Sequence, residues 1–190
     1  MSYCIRPLRW EDVARVTEID REAFPTMMPP TNYQRELRNP LAHYIVAYND
    51  QREIGEIDAG EASPGRQYII GLAGFWMMAD EAHIVNIAVV LSYRRRGMGE
   101  LLLIHLIDLA MEKNVSIITL EVRASNTIAQ SLYLKYGFAI KGVRRGYYSD
   151  DKEDAVIMTA EDIKSALFQT NLNKLKKDYS RRWGILYQIM

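Results

Sequence analysis

Ile84-Val85-Asn86-Ile87-Ala88-Val89-Val90, then Leu91-Ser92-Tyr93, then Arg94-Arg95-Arg96-Gly97-Met98-Gly99-Glu100, decide how this chain folds. The first run is apolar almost without a break and rich in β-branched residues, which predicts a central strand covered on both faces. After the glycines, residues 100–113 carry Leu102, Leu103, Leu106, Ile107, Ala110 and Met111 on a wide helical stripe. Two glycines one residue apart let the backbone between strand and helix curl, so that consecutive N–H groups point to one side. The helix adds its free N-terminal N–H groups and the positive end of its dipole. With arginines at 94, 95 and 96 on the rim, strand, turn and helix make a cradle suited to a pyrophosphate. The alternative is a tight turn with solvated arginines. The glycine spacing is not a dinucleotide fingerprint, and no Gly-Lys-Ser/Thr follows, so the turn is not a P-loop.

Working outward, residues 2–8 predict a short first strand, and 11–23 an amphipathic helix with Val13, Val16, Ile19 and Ala23 on one face and Asp12 in an acidic first turn. That helix stops at Phe24-Pro25. A second short helix is expected over 32–38, strands over 44–48 and 68–78, and a long polar loop over 49–67. With 83–90, these strands suggest an antiparallel meander. Beyond the central helix come a strand at 117–122, a helix at 126–136 stopped by Gly137, and a closing hairpin of 138–143 with 155–159. Phe168, Leu172, Leu175, Tyr179, Trp183 and Leu186 make one apolar stripe on a C-terminal helix over 165–190, with Lys174, Lys176, Lys177, Arg181 and Arg182 on its other face. This helix is read as an extra element packed on the domain; a dimer seam or a basic docking helix is the alternative. The expected division is a domain over 1–162 and a helical extension over 163–190.

The chain has 190 residues, 48% hydrophobic and 25% charged, with Lys+Arg and Asp+Glu both at 24. Zero net charge argues against coating nucleic acid by bulk charge. One cysteine, Cys4, excludes an internal disulfide framework and suits a reducing cytoplasm; it is read as a small buried apolar residue. No apolar run is long enough to span a bilayer, residues 1–10 lack the apolar segment of a signal peptide, and the three histidines, His43, His83 and His105, make no zinc signature. Neither a metal nor a membrane partner is expected.

Residues 83–158 resemble the GNAT superfamily of N-acetyltransferases, most closely the RimI-type ribosomal-protein alanine N-acetyltransferases. The resemblance is carried by Asn86-Ile87-Ala88-Val89, Tyr93 to Gly99, Leu120-Glu121-Val122-Arg123-Ala124-Ser125-Asn126, Ala129, Leu132-Tyr133, Tyr136-Gly137-Phe138, and Arg144-Arg145-Gly146-Tyr147-Tyr148 with Glu153-Asp154-Ala155. It implies an α/β fold with a mixed, mostly antiparallel sheet, splayed at its centre and flanked by helices. It implies acetyl-CoA as co-substrate. Backbone groups of Ile87, Ala88 and Val89 would meet its pantetheine arm. The turn Arg95, Arg96, Gly97, Met98, Gly99 and Glu100 would hold its pyrophosphate, and Asn126 would also contact it. Glu121 would be the general base and Tyr133 the general acid, while Phe24, Tyr147 and Tyr148 would border the acceptor groove. The pattern departs from the family where Phe24-Pro25 is followed by Thr26 and Met27 instead of a tryptophan, and where Leu91 replaces a proline.

The chemistry explains these residue types. An α-amino group has a pKa of about 7.7–8, so much of it must lose a proton before attacking a thioester. A carboxylate can take that proton, directly or through water, and a phenol can protonate the departing thiolate. Backbone N–H groups can stabilise the oxyanion that the attack builds. No covalent enzyme intermediate is required. Other readings stand beside these: Glu121 as the outward residue of an edge strand, Tyr133 as core packing, Asn126 as a helix N-cap, Tyr147 and Tyr148 as hairpin aromatics, and His83 as a surface histidine or a second base. His105 is read as packing. The implied acceptor is a protein N-terminus, the N-terminal alanine of small-subunit ribosomal protein eighteen, in a cytoplasmic monomer or homodimer. A small-molecule or lysine acetyltransferase, or a non-catalytic acyl-CoA-binding regulator, is the alternative.

Overall fold

A computed structural model describes residues 3–26, 29–49 and 68–184, and its strands form one seven-stranded sheet. β1 (Tyr3–Pro7), β2 (Ala42–Asn49), β3 (Tyr68–Met78) and β4 (Glu81–Val89) follow one another antiparallel, as the meander predicts. β5 (Ile117–Arg123) runs parallel to β4, because the helix α3 (Met98–Glu112) carries the chain back across the sheet. β6 (Ala139–Arg144) is the far edge, and β7 (Ala155–Ala160) inserts between β5 and β6. The helices α1 (Val13–Ala23) and α2 (Tyr33–Glu36) cover one face through Val16, Ile19 and Tyr33. On the other face α3, α4 (Thr127–Lys135) and α5 (Ala166–Trp183) share a core with the sheet.

β4 changes phase partway along. Gly74 pairs with Asn86 and Phe75 with Ile84, which leaves Val85 as the extra residue of a β-bulge. Before it, Ala82 and Ile84 enter the α3 core. After it, Ala88 enters the α1–α2 core, and Asn86 donates to Asp20 Oδ1 at 2.9 Å and to the Tyr33 hydroxyl at 2.8 Å. One added residue in a period-two strand turns every later side chain to the opposite face.

The sheet opens at the same place. β4 and β5 pair from Glu81 with Ile117 to Ile84 with Leu120, and no further. Each then stays with its outer neighbour, β4 with β3 as far as Val89 and β5 with β7 as far as Arg123. The central splay implied by the resemblance is therefore a cleft between residues 85–89 and 121–123.

Some local expectations change. The second helix shrinks to the four residues of α2, capped by Asn32, whose side chain accepts from the Arg35 N–H at 3.0 Å. Asp12 does not serve the α1 dipole; its carboxylate accepts two bonds from Arg6, at 2.6 and 2.9 Å, and one from the Arg9 N–H at 2.8 Å. Cys4 is half-buried against the α1–α2 core. The C-terminal stripe packs as expected: Leu172 and Tyr179 are buried, and Phe168, Leu175 and Trp183 lie against the core. α5 ends at Gly184 in the left-handed conformation. Lys176 leaves the solvated face and bonds Asp108 on α3. Leu186 and most of the expected 49–67 loop lie outside the described residues.

Candidate active site

Glu121 stands on β5 just past the last rung shared with β4. Its neighbours Leu120 and Val122 enter the α3–α4 core, so alternation sends its carboxylate to the opposite face. β5 lies between β4 and β7, but at Glu121 it pairs only with β7, so the carboxylate stands on the stretch of strand that borders the opening. The Glu121 side chain is 8% exposed; Oε2 lies 2.7 Å from His83 Nε2 and Oε1 lies 3.0 Å from Arg144 Nε. A buried carboxylate held at both oxygens has a fixed direction. His83 therefore belongs with Glu121 and is not an isolated surface histidine. The rest of β4, the crossover helix α3 and the start of β5 separate the two in sequence, so spacing gave no signal of the contact.

Tyr133 projects from α4 into the core behind β5, against the Phe138 ring at 5.7 Å. Burial pushes its phenol up to about 12, with the nearby Tyr148 adding to the shift. A phenol so placed stays protonated, which an acid requires, and packing and chemistry are compatible in it. Asn126 is the N-cap that its position suggests: Oδ1 accepts from the Ala129 N–H at 3.1 Å, which commits its carbonyl oxygen and not its amide N–H groups.

The turn before α3 has the geometry of a cradle. Arg95 is at φ 59 and Gly97 at φ 82, a left-handed pair that brings neighbouring amides toward one side. Among the described residues no side chain caps the helix start at Gly97, and a Cβ added to Gly99 would meet nothing within 4 Å. The surface beside Gly99 is open and the first-turn N–H groups carry no side-chain cap among the described residues, and this donor set fits a diphosphate. Glu100 sends its side chain to the Tyr136 hydroxyl at 2.7 Å and to Lys135, so only its backbone serves the cradle. Arg96 lies over the Tyr93 ring, and Arg94 Nε donates to the Val89 carbonyl at 3.0 Å, tying turn to strand. Ile87, Ala88 and Val89 line the cleft with backbone that no β5 residue pairs.

The β6–β7 loop is pinned over the end of β5 by Arg123. Its guanidinium reaches Asp150, Asp151 and Glu153 at 2.7 to 3.1 Å and sits 3.9 Å from the Tyr148 ring centroid. Burial first, and the charge of Glu121 among others, pushes the Tyr148 phenol up to about 12. Tyr147 packs edge-on against Tyr148 at 5.3 Å and is 49% exposed. The loop thus presents two ordered aromatics beside the carboxylate. Phe24, at the end of α1, is partly buried against the α1–α2 core. Arg123 and Arg144 are the site residues that sequence reasoning missed. Both fall in the quoted motifs, but only strand register brings them to Glu121 and Tyr148.

Comparison with known proteins shows the family. Residues 10–138 match the model of the acetyltransferase (GNAT) family. A Bacillus subtilis (strain 168) protein, provisionally named a ribosomal protein bS18-alanine N-acetyltransferase, is 36% identical over 155 residues, covering 81% of this chain and 92% of that protein. An N-alpha-acetyltransferase of Sulfurisphaera tokodaii is 35% identical over 161 residues, covering 84% and 93%. The crystal structure of the ribosomal-protein-S18-alanine N-acetyltransferase from Escherichia coli superposes with a TM-score of 0.65 at 29% identity, covering 84% of this chain and 94% of that one. The family model spans the cradle, the cleft, Glu121 and Tyr133 together, and the chain belongs to the GNAT family as a RimI-like, acetyl-CoA-dependent N-acetyltransferase.

Proposed function

We propose that the acceptor is the α-amino group of a protein N-terminus, the N-terminal alanine of the ribosomal protein bS18 by the names of the relatives, with Glu121 as base and Tyr133 as acid. One observation carries this reading. A fixed carboxylate and a buried phenol stand on opposite faces of the sheet where β4 and β5 part. A thioester reaching through that opening would have the proton acceptor on the amine side and the proton donor on the sulfur side.

Acetyl-CoA supplies, when bound, the acetyl thioester and a thiol leaving group. The amides of Gly97, Met98, Gly99 and Glu100, with Arg95 and Arg96, bind its diphosphate. Those backbone groups of Ile87, Ala88 and Val89 that face the cleft, where β5 no longer pairs, orient its amide arm, and an N–H among them can donate to the acyl oxygen as charge grows there. The Asn126 amide, free of the capping bond, adds a donor. Glu121 accepts a proton from the α-ammonium, directly or through water, and His83 beside Oε2 can carry it onward. The Tyr133 hydroxyl gives its proton to the sulfur. Tyr147, Tyr148 and Phe24 border the groove for the acceptor's first residues. The reading places the reaction in the cytoplasm, in a monomer or homodimer; among the described residues no helix is long and apolar enough to cross a membrane.

The test offers one Ala-starting peptide free, the same peptide N-terminally blocked, a lysine peptide and a polyamine, and locates the acetyl group by mass spectrometry. Acetyl on the free α-nitrogen alone supports the reading. Preferred modification of the lysine peptide or the polyamine overturns the acceptor. Full turnover in both Glu121→Gln and Tyr133→Phe overturns the roles.

A further inference from the structure

α5 contributes no group to acetyl transfer, yet its last turns press on the cradle. A Cβ added to Gly97 would stand 2.7 Å from Cε2 and 2.8 Å from Nε1 of Trp183, so the indole lies directly against the bare Cα. One turn earlier Tyr179, 1% exposed, donates its hydroxyl to the Gly97 carbonyl at 3.3 Å. That carbonyl also accepts the first α3 bond, from the Leu101 N–H at 2.9 Å. Trp183 Nε1 is buried without a hydrogen-bond partner among the described residues. Burying an unbonded N–H carries a cost that an all-carbon ring at this place would avoid.

Gly97 needs such support. It holds φ 82, and glycine has more backbone freedom to lose than any other residue. Arg95, left-handed without being glycine, adds strain two residues away. A turn left to itself would spend part of its time in other conformations, and its affinity for a ligand falls by the fraction of time it is competent. We infer that α5 is a brace for the coenzyme turn, with Trp183 and Tyr179 as positioning residues that hold Gly97 in its binding conformation, so that the C-terminal helix sets the affinity for acetyl-CoA. This rests on the reading of the turn as the diphosphate site. The pairing also explains residue 97 twice over: any side chain there would suffer the positive φ and collide with the indole.

The experiment measures the dissociation constant of acetyl-CoA by titration calorimetry on the full chain, with amine KM and kcat at saturating coenzyme. Trp183→Ala is expected to weaken acetyl-CoA binding about tenfold, the result of a turn competent about a tenth of the time. Trp183→Phe, which keeps an aromatic ring over Gly97, is expected to restore most of the affinity, and Tyr179→Phe to lose part of it. Amine KM and kcat stay unchanged. Leu172→Ala, in the α5 core away from the turn, should lower the melting temperature and leave the coenzyme constant alone. Wild-type or tighter binding in Trp183→Ala overturns the brace, as does an equal loss in Leu172→Ala. If Trp183→Ala does not fold, Tyr179→Phe decides, and wild-type affinity there overturns it. Gly99→Asp separates the underlying reading. A carboxylate in the cradle should abolish binding, and undiminished binding would sink the diphosphate site itself, brace included.

Discussion

His83 Nε2 and Glu121 Oε2 are 2.7 Å apart, and the pair ties β4 to β5 across the last rungs before the sheet opens. The contact fixes the carboxylate, and in the proposed mechanism it would give the proton taken by Glu121 a second stop. Glu121→Gln should lower kcat/KM for the amine by about 10²–10⁴, the usual worth of a positioned base. His83→Gln should cost less, about tenfold. The double variant should be little worse than Glu121→Gln alone, because the two act as a unit. Steady-state kinetics on the peptide check this, and additive losses would show independent roles.

Tyr133 is held protonated by its surroundings, with burial first and Tyr148 second pushing it up to about 12. Its supply of a proton should therefore not fail below about pH 10, where an ordinary phenol titrates. Tyr133→Phe should lower kcat by about a hundredfold with little change in coenzyme affinity. A pH–rate profile of the wild type with a basic limb near pH 10 that vanished in the variant would contradict the first expectation.

Acid should weaken the fold through buried histidine. Burial lowers His43, with Lys113 adding to it. Burial also lowers His105, against the bond to the Leu101 carbonyl and with Lys176 opposing protonation. A base depressed in the folded state binds fewer protons folded than unfolded. Its contribution is thus intact above the unfolded value of 6.5 and is lost as pH falls below it. The urea midpoint should drop between about pH 7.5 and 5.5, and His105→Leu should flatten the drop.

Arg6 and Asp12 form a bidentate pair with side chains 8% and 4% exposed. Asp12→Asn strands a buried guanidinium without its carboxylate, at a cost of about 3 kcal/mol. The pair joins β1 to the start of α1, far from the cleft. Chemical denaturation should show the loss while kcat stays put.

Elements that announce themselves locally were legible in the sequence. The β4 run, the glycine turn, α3, the Asn126 cap and the α5 stripe each follow from neighbours within a few residues. Glu121 and Tyr133 came through their motifs. Long-range register did not. That β7 lies between β5 and β6, that His83 reaches Glu121, and that Trp183 meets Gly97 depend on contacts across dozens of residues. Asp12 shows the same limit in miniature: a carboxylate at a helix start looked like a dipole partner, and Arg6, on the preceding strand, claimed it.

The unpaired Val85 has a consequence for how this protein can change. Ala82 and Ile84 answer to one core and Asn86 and Ala88 to the other, so the alternation runs as if Val85 were skipped. Deleting Val85 would make Ile84 and Asn86 neighbours, mend the ladder and leave each side chain on the layer it already faces; what would go is the local bend at the place where β4 parts from β5. The extra residue thus bears on the opening of the sheet and not on the sorting of its two cores.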